Sequence, residues 1–536
     1  MKGVLPMFTY IKRYWKDNLL VSFLLFGSAS AQTIASIINA NALNHLIALN
    51  FDGFFKAALQ MFLAFLFLLF FTYLQVVKQT QTIQKMVTAI RGNITSRIEH
   101  TSYNGFHEKQ VGTYVSWLSN DMNTLEKQAF EGFYTVTSGV ISTITSVIGL
   151  FFFHWSLVVW SLIATGITLM LPRIYQKKMS EASLATTHEN ERFIEKADDV
   201  LSGFDTLFSY SLLQKITNQV KTASLSLAEK KTNQARVVGK VAVLGAFGNV
   251  FGQLSILVLT GWLAFRSFIS IGSIASTGSL ASVIFNNVGN ISQQMATIQS
   301  TKPIFDKFKT IQENGNGGTE LLDKLEDGFQ IRNLNYAFGE KQILNNVNYT
   351  FARNNKYAIV GPSGSGKSTL LNILNSKLTN YEGSIRLSNK ELKHIKGQDV
   401  REHILYIDQI PYLFDGSIRD NITLGEEFSE EELKQAINES DLEGLIYILP
   451  AGLDTSVGEG GRSLSGGQRQ RVALARGLIR GKTCILLDEG TSSLDEESAI
   501  RIEERLVSNP NLTVVMITHN LRETTKEKLD GVLVLT

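Results

Sequence analysis

The sequence predicts a membrane domain of all-α class with six helices, followed by a cytosolic α/β domain with a phosphate-binding loop. Two observations lead to this prediction. The first 326 residues hold 47 charged side chains and the last 210 hold 53, so the two regions suit different solvents. In the second region, a strand, a glycine-rich loop and a helix follow one another. A chain of 536 residues is long enough for two large domains.

Five stretches of the first region contain no Asp, Glu, Lys or Arg, and each is long enough to cross a bilayer, which takes about 20 apolar residues as a helix. The third stretch is about twice as long as one crossing needs. It breaks at His154 and Trp155, which suit a turn at the membrane surface. Six membrane helices are therefore predicted, with midpoints near residues 30, 67, 143, 163, 253 and 284. The alternative of six buried helices in a soluble protein is disfavoured, because the run FLAFLFLLFF has no polar face. The five stretches are 18–51, 57–77, 132–172, 241–265 and 267–301.

Basic residues predict the orientation of these helices. Lys and Arg are frequent in residues 1–17, 78–127 and 173–240. The segments that follow the first, third and fifth predicted helices contain only two basic residues, Lys56 and Arg266. Because cytoplasmic loops carry the excess of positive charge, we expect a multi-pass protein of the cytoplasmic membrane with its amino terminus and α/β domain in the cytosol. Membrane lipid is thus a partner. Residues 1–17 are predicted to form an interfacial helix, and the helical pattern of the two long loops predicts membrane helices that continue into the cytosol.

Composition also argues against a nucleic-acid partner, an internal disulfide and a histidine metal site. The net charge of +2 provides no strong basic field, so no nucleic-acid partner is expected. The single cysteine, Cys484, cannot form an internal disulfide, and the eight histidines lack the spacing of a metal site.

The glycine-rich loop carries the strongest chemical signal. Residues 357–360 are predicted to form a buried strand, GPSGSGKST follows at 361–369, and a helix comes next. Glycines let successive backbone amides turn toward one point, and a helix start adds positive partial charge. Lys367 is placed to neutralise the β- and γ-phosphates, and the Ser368 hydroxyl to bind Mg²⁺. The predicted ATP contacts in this loop are Gly361, Ser363, Gly364, Gly366, Lys367, Ser368 and Thr369.

A second predicted strand, at 484–487, ends in two adjacent carboxylates. Asp488 at the strand end can hold Mg²⁺, and Glu489 can take a proton from an attacking water. An acidic pair is a weak signal by itself, but the phosphate-binding loop upstream makes it a strong one.

Further motifs make the chain resemble the ABC transporters of the exporter type, in which an ATPase domain follows six membrane helices. LSGGQ at 464–468 resembles the ABC signature, TSVGEG at 455–460 the loop before it, and SLD at 493–495 the D-loop. Gln409 matches the Q-loop glutamine and His519 the switch histidine. The resemblance implies ATP and Mg²⁺ as cofactors, with Gln409 also a Mg²⁺ ligand. It implies Glu489, His519 and Gln409 as catalytic residues, and Ser465, Gly466 and Gly467 as ATP contacts.

Alignment with the family's adenine-stacking loop identifies Phe338 as the stacking aromatic, with Tyr336 as the nearby alternative. The resemblance covers nearly the whole chain. It implies a transmembrane domain at 1–312 with two long cytoplasmic coupling loops, a linker at 313–326 and a nucleotide-binding domain at 327–536. Segments 106–126 and 203–207 resemble the coupling segments.

In this family two ATPase domains bind two ATP molecules, each between the P-loop of one chain and the signature of the other. One P-loop and six helices are half of such a machine, so a second chain is required. A homodimer is favoured because the motif residues are intact, and a heterodimer is the alternative. The intact residues are Lys367, Ser465, Glu489 and His519.

The expected function is ATP-driven export of an amphipathic or peptide-like substrate by alternating access. An importer built on the exporter fold, for example for a siderophore, is the alternative, while the charge-free runs exclude a soluble ABC ATPase. Uncharged polar residues recur at helical spacing in the first and sixth predicted helices and either face a substrate pathway or join helices by hydrogen bonds. The predicted pathway residues are Gln32, Asn39, Asn286, Asn290 and Gln293.

Overall fold

The computed structural model describes residues 6–170, 174–311, 318–489, 496–518 and 522–536. The chain divides into two compact units, which we name the helical unit and the sheet unit. The helical unit comprises Met1–Thr95 and Val111–Thr310, and the sheet unit comprises Ser96–Gln110 and Ile311–Thr536. A segment of the predicted transmembrane domain, Ser96–Gln110, therefore groups with the sheet unit.

Long helices dominate the helical unit, because a helix satisfies its own backbone polar groups and suits apolar runs in lipid. Its helices are α1 (Met7–Arg13), α2 (Trp15–Ile47), α3 (Phe51–Glu99), α5 (Val111–Phe151), α6 (Trp155–Met170), α7 (Gln176–Ser202), α8 (Phe204–Ser209), α9 (Gln214–Phe265), α10 (Ser273–Gln299) and α11 (Lys302–Phe308). The last residues of α3 and the short α4 (Tyr103–His107) lie in the sheet unit.

Six of these helices contain the six predicted midpoints: α2, α3, α5, α6, α9 and α10. The predicted turn at His154 and Trp155 is confirmed, since α5 ends at Phe151 and α6 begins at Trp155. Within the described residues, α2, α3, α5 and α9 are long and apolar enough to cross a membrane. The apolar α6 has 16 residues and is followed by residues outside the described ranges. Helix α10 is not among these four, and it contains many amide and hydroxyl side chains.

Two helices are much longer than a bilayer is thick. Helices α3 and α9 have 49 and 52 residues, which at the helical rise correspond to about 74 and 78 Å. A bilayer core is about 30 Å thick. Both helices are therefore longer than a membrane crossing needs, and their continuation into the cytosol stays a prediction.

Glycines let α9 approach its neighbours closely. A Cβ atom added at Gly252 would lie 2.5 Å from Cδ1 of Phe285 in α10, and one at Gly248 would lie 2.9 Å from Cγ2 of Thr168 in α6. Small residues commonly allow such close packing between membrane helices. This packing brings the polar faces of α9 and α10 together.

The sheet unit contains two sheets, which confirms the predicted α/β class. The strands are β1 (Phe329–Phe338), β2 (Lys341–Phe351), β3 (Lys356–Val360), β4 (Glu382–Leu387), β5 (Lys390–Glu391), β6 (Ile404–Ile407), β7 (Cys484–Asp488), β8 (Thr513–Ile517) and β9 (Gly531–Val534). The helices are α12 (Lys367–Leu374), α13 (Gly397–His403), α14 (Ile418–Thr423), α15 (Glu430–Glu439), α16 (Glu443–Ile448), α17 (Gly466–Leu478), α18 (Glu496–Ser508) and α19 (Glu523–Lys526).

The larger sheet positions the functional loops. Its order is β6-β7-β8-β3-β9 and its paired strands are parallel, whereas the smaller sheet, β2-β1-β4-β5, is antiparallel. Strands β3, β7 and β8 are buried almost throughout, as expected for a parallel sheet covered on both faces. Because the carboxyl ends of parallel strands meet at one edge, the loops after β3, β6 and β7 converge there.

Part of the predicted linker at 313–326 lies outside the described residues. Of the remainder, Leu322 and Leu325 are buried in the core of the sheet unit, and the Glu320 backbone N–H donates to the His394 carbonyl at 2.8 Å. The packed part of this unit thus begins before residue 327. The bounds 1–312, 313–326 and 327–536 stay predictions.

Candidate functional site

The predicted phosphate-binding loop joins β3 to α12, and Ser363 and Gly364 are exposed at its tip. Gly366, the residue before α12, has a left-handed φ of 89°. A Cβ there would lie 2.6 Å from Cδ2 of Leu344 in β2, so the position needs glycine for both its backbone and its packing. The β1–β2 hairpin therefore packs directly against this loop.

Lys367, the first residue of α12, is buried and folded back over the loop. Its Nζ donates to the carbonyl oxygens of Gly361 and Pro362, each at 2.9 Å. The Ser365 Oγ is also buried and has no hydrogen-bond partner within the described part of the chain. An ammonium and a spare hydroxyl in a loop of small residues are chemically suited to a phosphate group.

Asp488, at the end of β7, is held at both carboxylate oxygens. Its Oδ1 accepts from the Ser368 Oγ at 2.9 Å, and its Oδ2 accepts from the Tyr406 Oη at 3.0 Å. Burial raises the pKa of Asp488, with a further increase from the nearby Glu489 carboxylate, although the two hydrogen bonds act in the opposite direction. A bound cation would stabilise the charged form of this carboxylate.

The oxygen groups at this point fit Mg²⁺. The Ser368 hydroxyl and the Asp488 carboxylate are hard donors, and Mg²⁺ in nucleotide sites is usually bound by one or two such groups together with phosphates and water. Among the described residues, no group of three or more His, Cys, Asp or Glu is arranged to hold a metal ion by itself.

Glu489 lies beside Asp488 and in contact with Gln409. The Gln409 Nε2 donates to the Glu489 Oε2 at 2.8 Å, which brings the loop after β6 to the end of β7. Glu489 has a left-handed φ of 52°, which is uncommon for a residue with a side chain and frequent at functional positions. The predicted switch histidine, His519, and the D-loop at 493–495 lie outside the described residues.

The predicted signature residues Ser465, Gly466 and Gly467 stand at the start of α17. Ser465 caps the helix: its Oγ accepts from the Gln468 N–H at 3.3 Å, and its own N–H donates to the Gln468 Oε1 at 2.8 Å. Further along α17, Gln470 donates through Nε2 to the Gln409 carbonyl at 3.0 Å. The signature helix is thus tied to the loop that carries Gln409.

The two aromatic alternatives at the end of β1 differ in exposure. Phe338 is 72% exposed, whereas Tyr336 is buried in the core of the sheet unit. Phe338 can therefore stack on a flat ligand, and Tyr336 cannot do so without leaving the core. The hairpin that carries Phe338 packs against Gly366 of the phosphate-binding loop through Leu344.

Three of the five predicted pathway residues line one cavity. Asn286, Asn290 and Gln293 contribute to a cavity of about 150 Å³ between α9 and α10, and Gln32 and Asn39 of α2 are not among its lining residues. The amides also bond between helices. The Asn249 Nδ2 in α9 donates to the Asn286 Oδ1 in α10 at 2.5 Å. Within α10, the Asn286 Nδ2 donates to the Ser282 Oγ at 3.1 Å.

Sequence reasoning missed Tyr406 and Gln470, which contact Asp488 and Gln409. A signal for Tyr406 exists in the strand ILYI, where one hydroxyl-bearing side chain interrupts aliphatic residues three positions before Gln409. Gln470 is polar and buried within a helix, which indicates a partner across the packing interface.

Comparison with protein families gives two matches in this chain. Residues 19–288 match the family described as ABC transporter transmembrane region, and residues 344–492 match the family described as ABC transporter. The first match alone covers half of the chain.

Individual relatives agree with these matches. The chain is 26% identical to an ATP-dependent lipid A-core flippase of Francisella tularensis subsp. holarctica, over 84% of this chain and 76% of the flippase. It is 24% identical to the multidrug resistance-like ATP-binding protein MdlB of Buchnera aphidicola, over 95% and 89% of the two chains. A bacterial Atm1-family ABC exporter solved with ATP bound has the same fold, with a TM-score of 0.80 at 19% identity, over 97% of this chain and 94% of the other.

Proposed function

The chain belongs to the ABC transporter family, and from this membership we propose that it is one half of a homodimeric exporter in the cytoplasmic membrane. As a half-transporter with an exporter fold, it binds ATP and couples ATP hydrolysis to transport across a membrane. The observation that carries the proposal is the convergence of Lys367, the Ser368–Asp488 pair and the Gln409–Glu489 pair at one edge of the parallel sheet.

In the proposed reaction each of these groups has a separate task. Lys367 exchanges its two carbonyl partners for phosphate oxygens, and Ser368 and Asp488 hold the metal ion. Bound Mg²⁺ supplies positive charge that stabilises the phosphates as the terminal bond breaks. Glu489 takes the proton of the attacking water, and the hydrogen bond from Gln409 fixes the direction of its carboxylate.

We propose that a second copy completes each ATP site. Ser465 uses its side chain to cap α17, and the first N–H groups of a helix are suited to an anion. A second P-loop that approaches this helix from a partner chain would bring its phosphates to these groups. The motif residues of the ATP site are all present in this one chain, namely Lys367, Glu489 and Ser465. Two copies would therefore form two equal ATP sites, which favours a homodimer over a heterodimer.

The transport direction follows from the exporter fold, and import is the less favoured alternative. For the substrate we propose an amphipathic molecule with uncharged polar groups, such as a modest-sized peptide. The α9–α10 cavity presents amides and no charged side chain, so it offers hydrogen bonds without a fixed charge. The names of two relatives, a lipid A-core flippase and a multidrug resistance-like protein, are compatible with an amphipathic cargo.

The test of this function is transport by the purified protein in proteoliposomes. With ATP and Mg²⁺ on the side of the ATPase domains, we expect a panel of peptides, lipids and drugs to include compounds that stimulate ATPase activity and move away from that side. Uptake toward the ATPase side would contradict export. Stimulation confined to multivalent anions or metal complexes would contradict the proposed substrate class.

Replacing Phe338 with Ala is expected to weaken ATP binding, because the exposed ring no longer stacks on adenine. Base–aromatic stacking is worth about 1–3 kcal/mol per base, which corresponds to roughly 5- to 150-fold in the dissociation constant. Equilibrium binding of ATP to the purified variant measures the effect. The variant Phe338→Trp keeps a flat face and should bind like the unchanged protein, whereas equal affinity in Phe338→Ala would contradict the stacking role.

Changing Asn286 and Asn290 together to Leu is expected to reduce substrate-stimulated ATPase activity and transport, because the cavity loses hydrogen-bonding groups. Basal ATPase activity should be nearly unchanged. The matched control changes Gln75 and Gln79 to Leu, since this bonded amide pair of α3 does not line the cavity. Loss of basal activity or of dimer assembly in the Asn286 and Asn290 variant would instead support a role in holding α9 to α10.

A further inference from the structure

A lysine next to the metal-binding residues is enclosed by two aromatic rings. Lys377 follows α12, and its side chain is 15% exposed. Its Nζ lies 3.8 Å from the centre of the Tyr406 ring and 5.2 Å from the centre of the Tyr103 ring. The Asp408 Oδ1 is 3.5 Å from the same ammonium. A cation at these distances is attracted by both ring faces, and more strongly where water is partly excluded.

On one side, Lys377 contacts Tyr406, whose hydroxyl orients the carboxylate of Asp488. Tyr406 contacts Lys377 with its ring and donates from its Oη to the Asp488 Oδ2 at 3.0 Å. The other Asp488 oxygen is held by Ser368. Because β6 pairs with β7 opposite Leu486, the Tyr406 backbone is fixed by the sheet, and the ring direction is the adjustable part.

On the other side, the lysine contacts α4, the short helix that follows α3 in the chain. Tyr103 begins α4, four positions after α3 ends at Glu99. Ser102 caps α4 by accepting from the Gly105 N–H at 3.1 Å, and the His107 ring lies 4.1 Å from the Tyr103 ring. Tyr103 is therefore held in place by its own short helix.

We propose that Lys377 is a positioning residue: through the rings of Tyr103 and Tyr406, it makes the orientation of the Asp488 carboxylate depend on the position of α4. When Tyr103 stays on Lys377, the ammonium is held against Tyr406 and the Tyr406 hydroxyl stays on Asp488. When α4 moves away, the ammonium gains water and turns toward Asp408, which it already contacts, and Tyr406 loses the contact that orients it. This inference rests on the proposed function, because it takes Asp488 as a metal-binding residue.

The experiment measures metal affinity rather than turnover. The full-length dimer in lipid nanodiscs carries Glu489→Gln to block hydrolysis, and Mn²⁺ binding with saturating ATP is followed by electron paramagnetic resonance. We expect Lys377→Met, Tyr406→Phe and Tyr103→Leu each to raise the Mn²⁺ dissociation constant about three- to tenfold, the range that the loss of one cation–π contact or hydrogen bond produces. Lys377→Arg keeps the cation and Tyr103→Phe keeps the ring, so both should stay within about twofold.

The matched control is Lys393→Met, which removes another cation–π contact of the sheet unit, 4.3 Å over the Tyr381 ring, and should leave Mn²⁺ affinity unchanged. The variant Ser368→Ala tests the metal site itself, and unchanged Mn²⁺ affinity there would refute the metal-site assignment. If Ser368→Ala weakens Mn²⁺ binding but Tyr103→Leu and Lys377→Met do not, the transmission through Lys377 is refuted. Equal weakening by Lys377→Met and Lys393→Met would also refute it, because it would indicate a general loss of stability.

Discussion

Replacing Glu489 with Gln is expected to abolish ATP turnover while ATP binding stays intact. The amide keeps the shape of the side chain, and its oxygen can still accept the hydrogen bond from Gln409, but it cannot take a proton from water. A general base contributes roughly 10²- to 10⁴-fold to the rate, so the loss should be of this order. Steady-state phosphate release gives the rate, and equilibrium ATP binding is measured on the same preparation.

A matched control for this prediction is Glu427→Gln, which removes the same charge from an exposed position between α14 and α15. This control should hydrolyse ATP at the normal rate. Hydrolysis by Glu489→Gln within a few-fold of the unchanged protein would show that another group accepts the proton. Weakened ATP binding in Glu489→Gln would show that the carboxylate has a structural role in the site.

The strand, loop and helix around Lys367 were predictable because their chemistry is local in the sequence. The same holds for Asp488 and Glu489, which are adjacent at the end of one apolar strand. The contact from Tyr406 to Asp488 joins residues 82 positions apart and depends on β6 pairing with β7. Nothing in the sequence around Tyr406 specifies that pairing, so its role emerges once the strand order is known.

In the helical unit, composition predicted where six of the helices lie but not which helices pack against one another. Helical spacing places Asn286 and Asn290 on one face of α10, because that spacing is a property of one segment. Which helix this face meets depends on the glycines of α9, whose backbone approaches α10 closely at Gly252. The bond between Asn249 and Asn286 could therefore not be read from either helix alone.

Mixing a chain that carries Lys367→Ala with a chain that carries Gly466→Asp should restore ATPase activity that neither chain has alone. The first change removes the cation that opposes the phosphates, and the second places a carboxylate at the start of α17, where an anion is expected to bind. If each site combines the P-loop of one chain with the signature of the other, the mixed dimer has one intact site and one site with both defects. Dimers purified through two different tags provide the measurement.

If the ATPase activity of the mixed dimer does not exceed that of its parents, two explanations are open, and a cross-link distinguishes them. Cysteines introduced by Ser363→Cys and Ser465→Cys form a disulfide between chains only if the loop and the signature meet in trans, since bonded cysteines have Cα atoms about 4.4 to 6.8 Å apart. The native Cys484 is buried in β7, and burial raises the pKa of its thiol to about 12, so it should not compete. Cross-linked but inactive mixed dimers would mean that hydrolysis needs both sites, whereas cross-linking within one chain would refute the shared site.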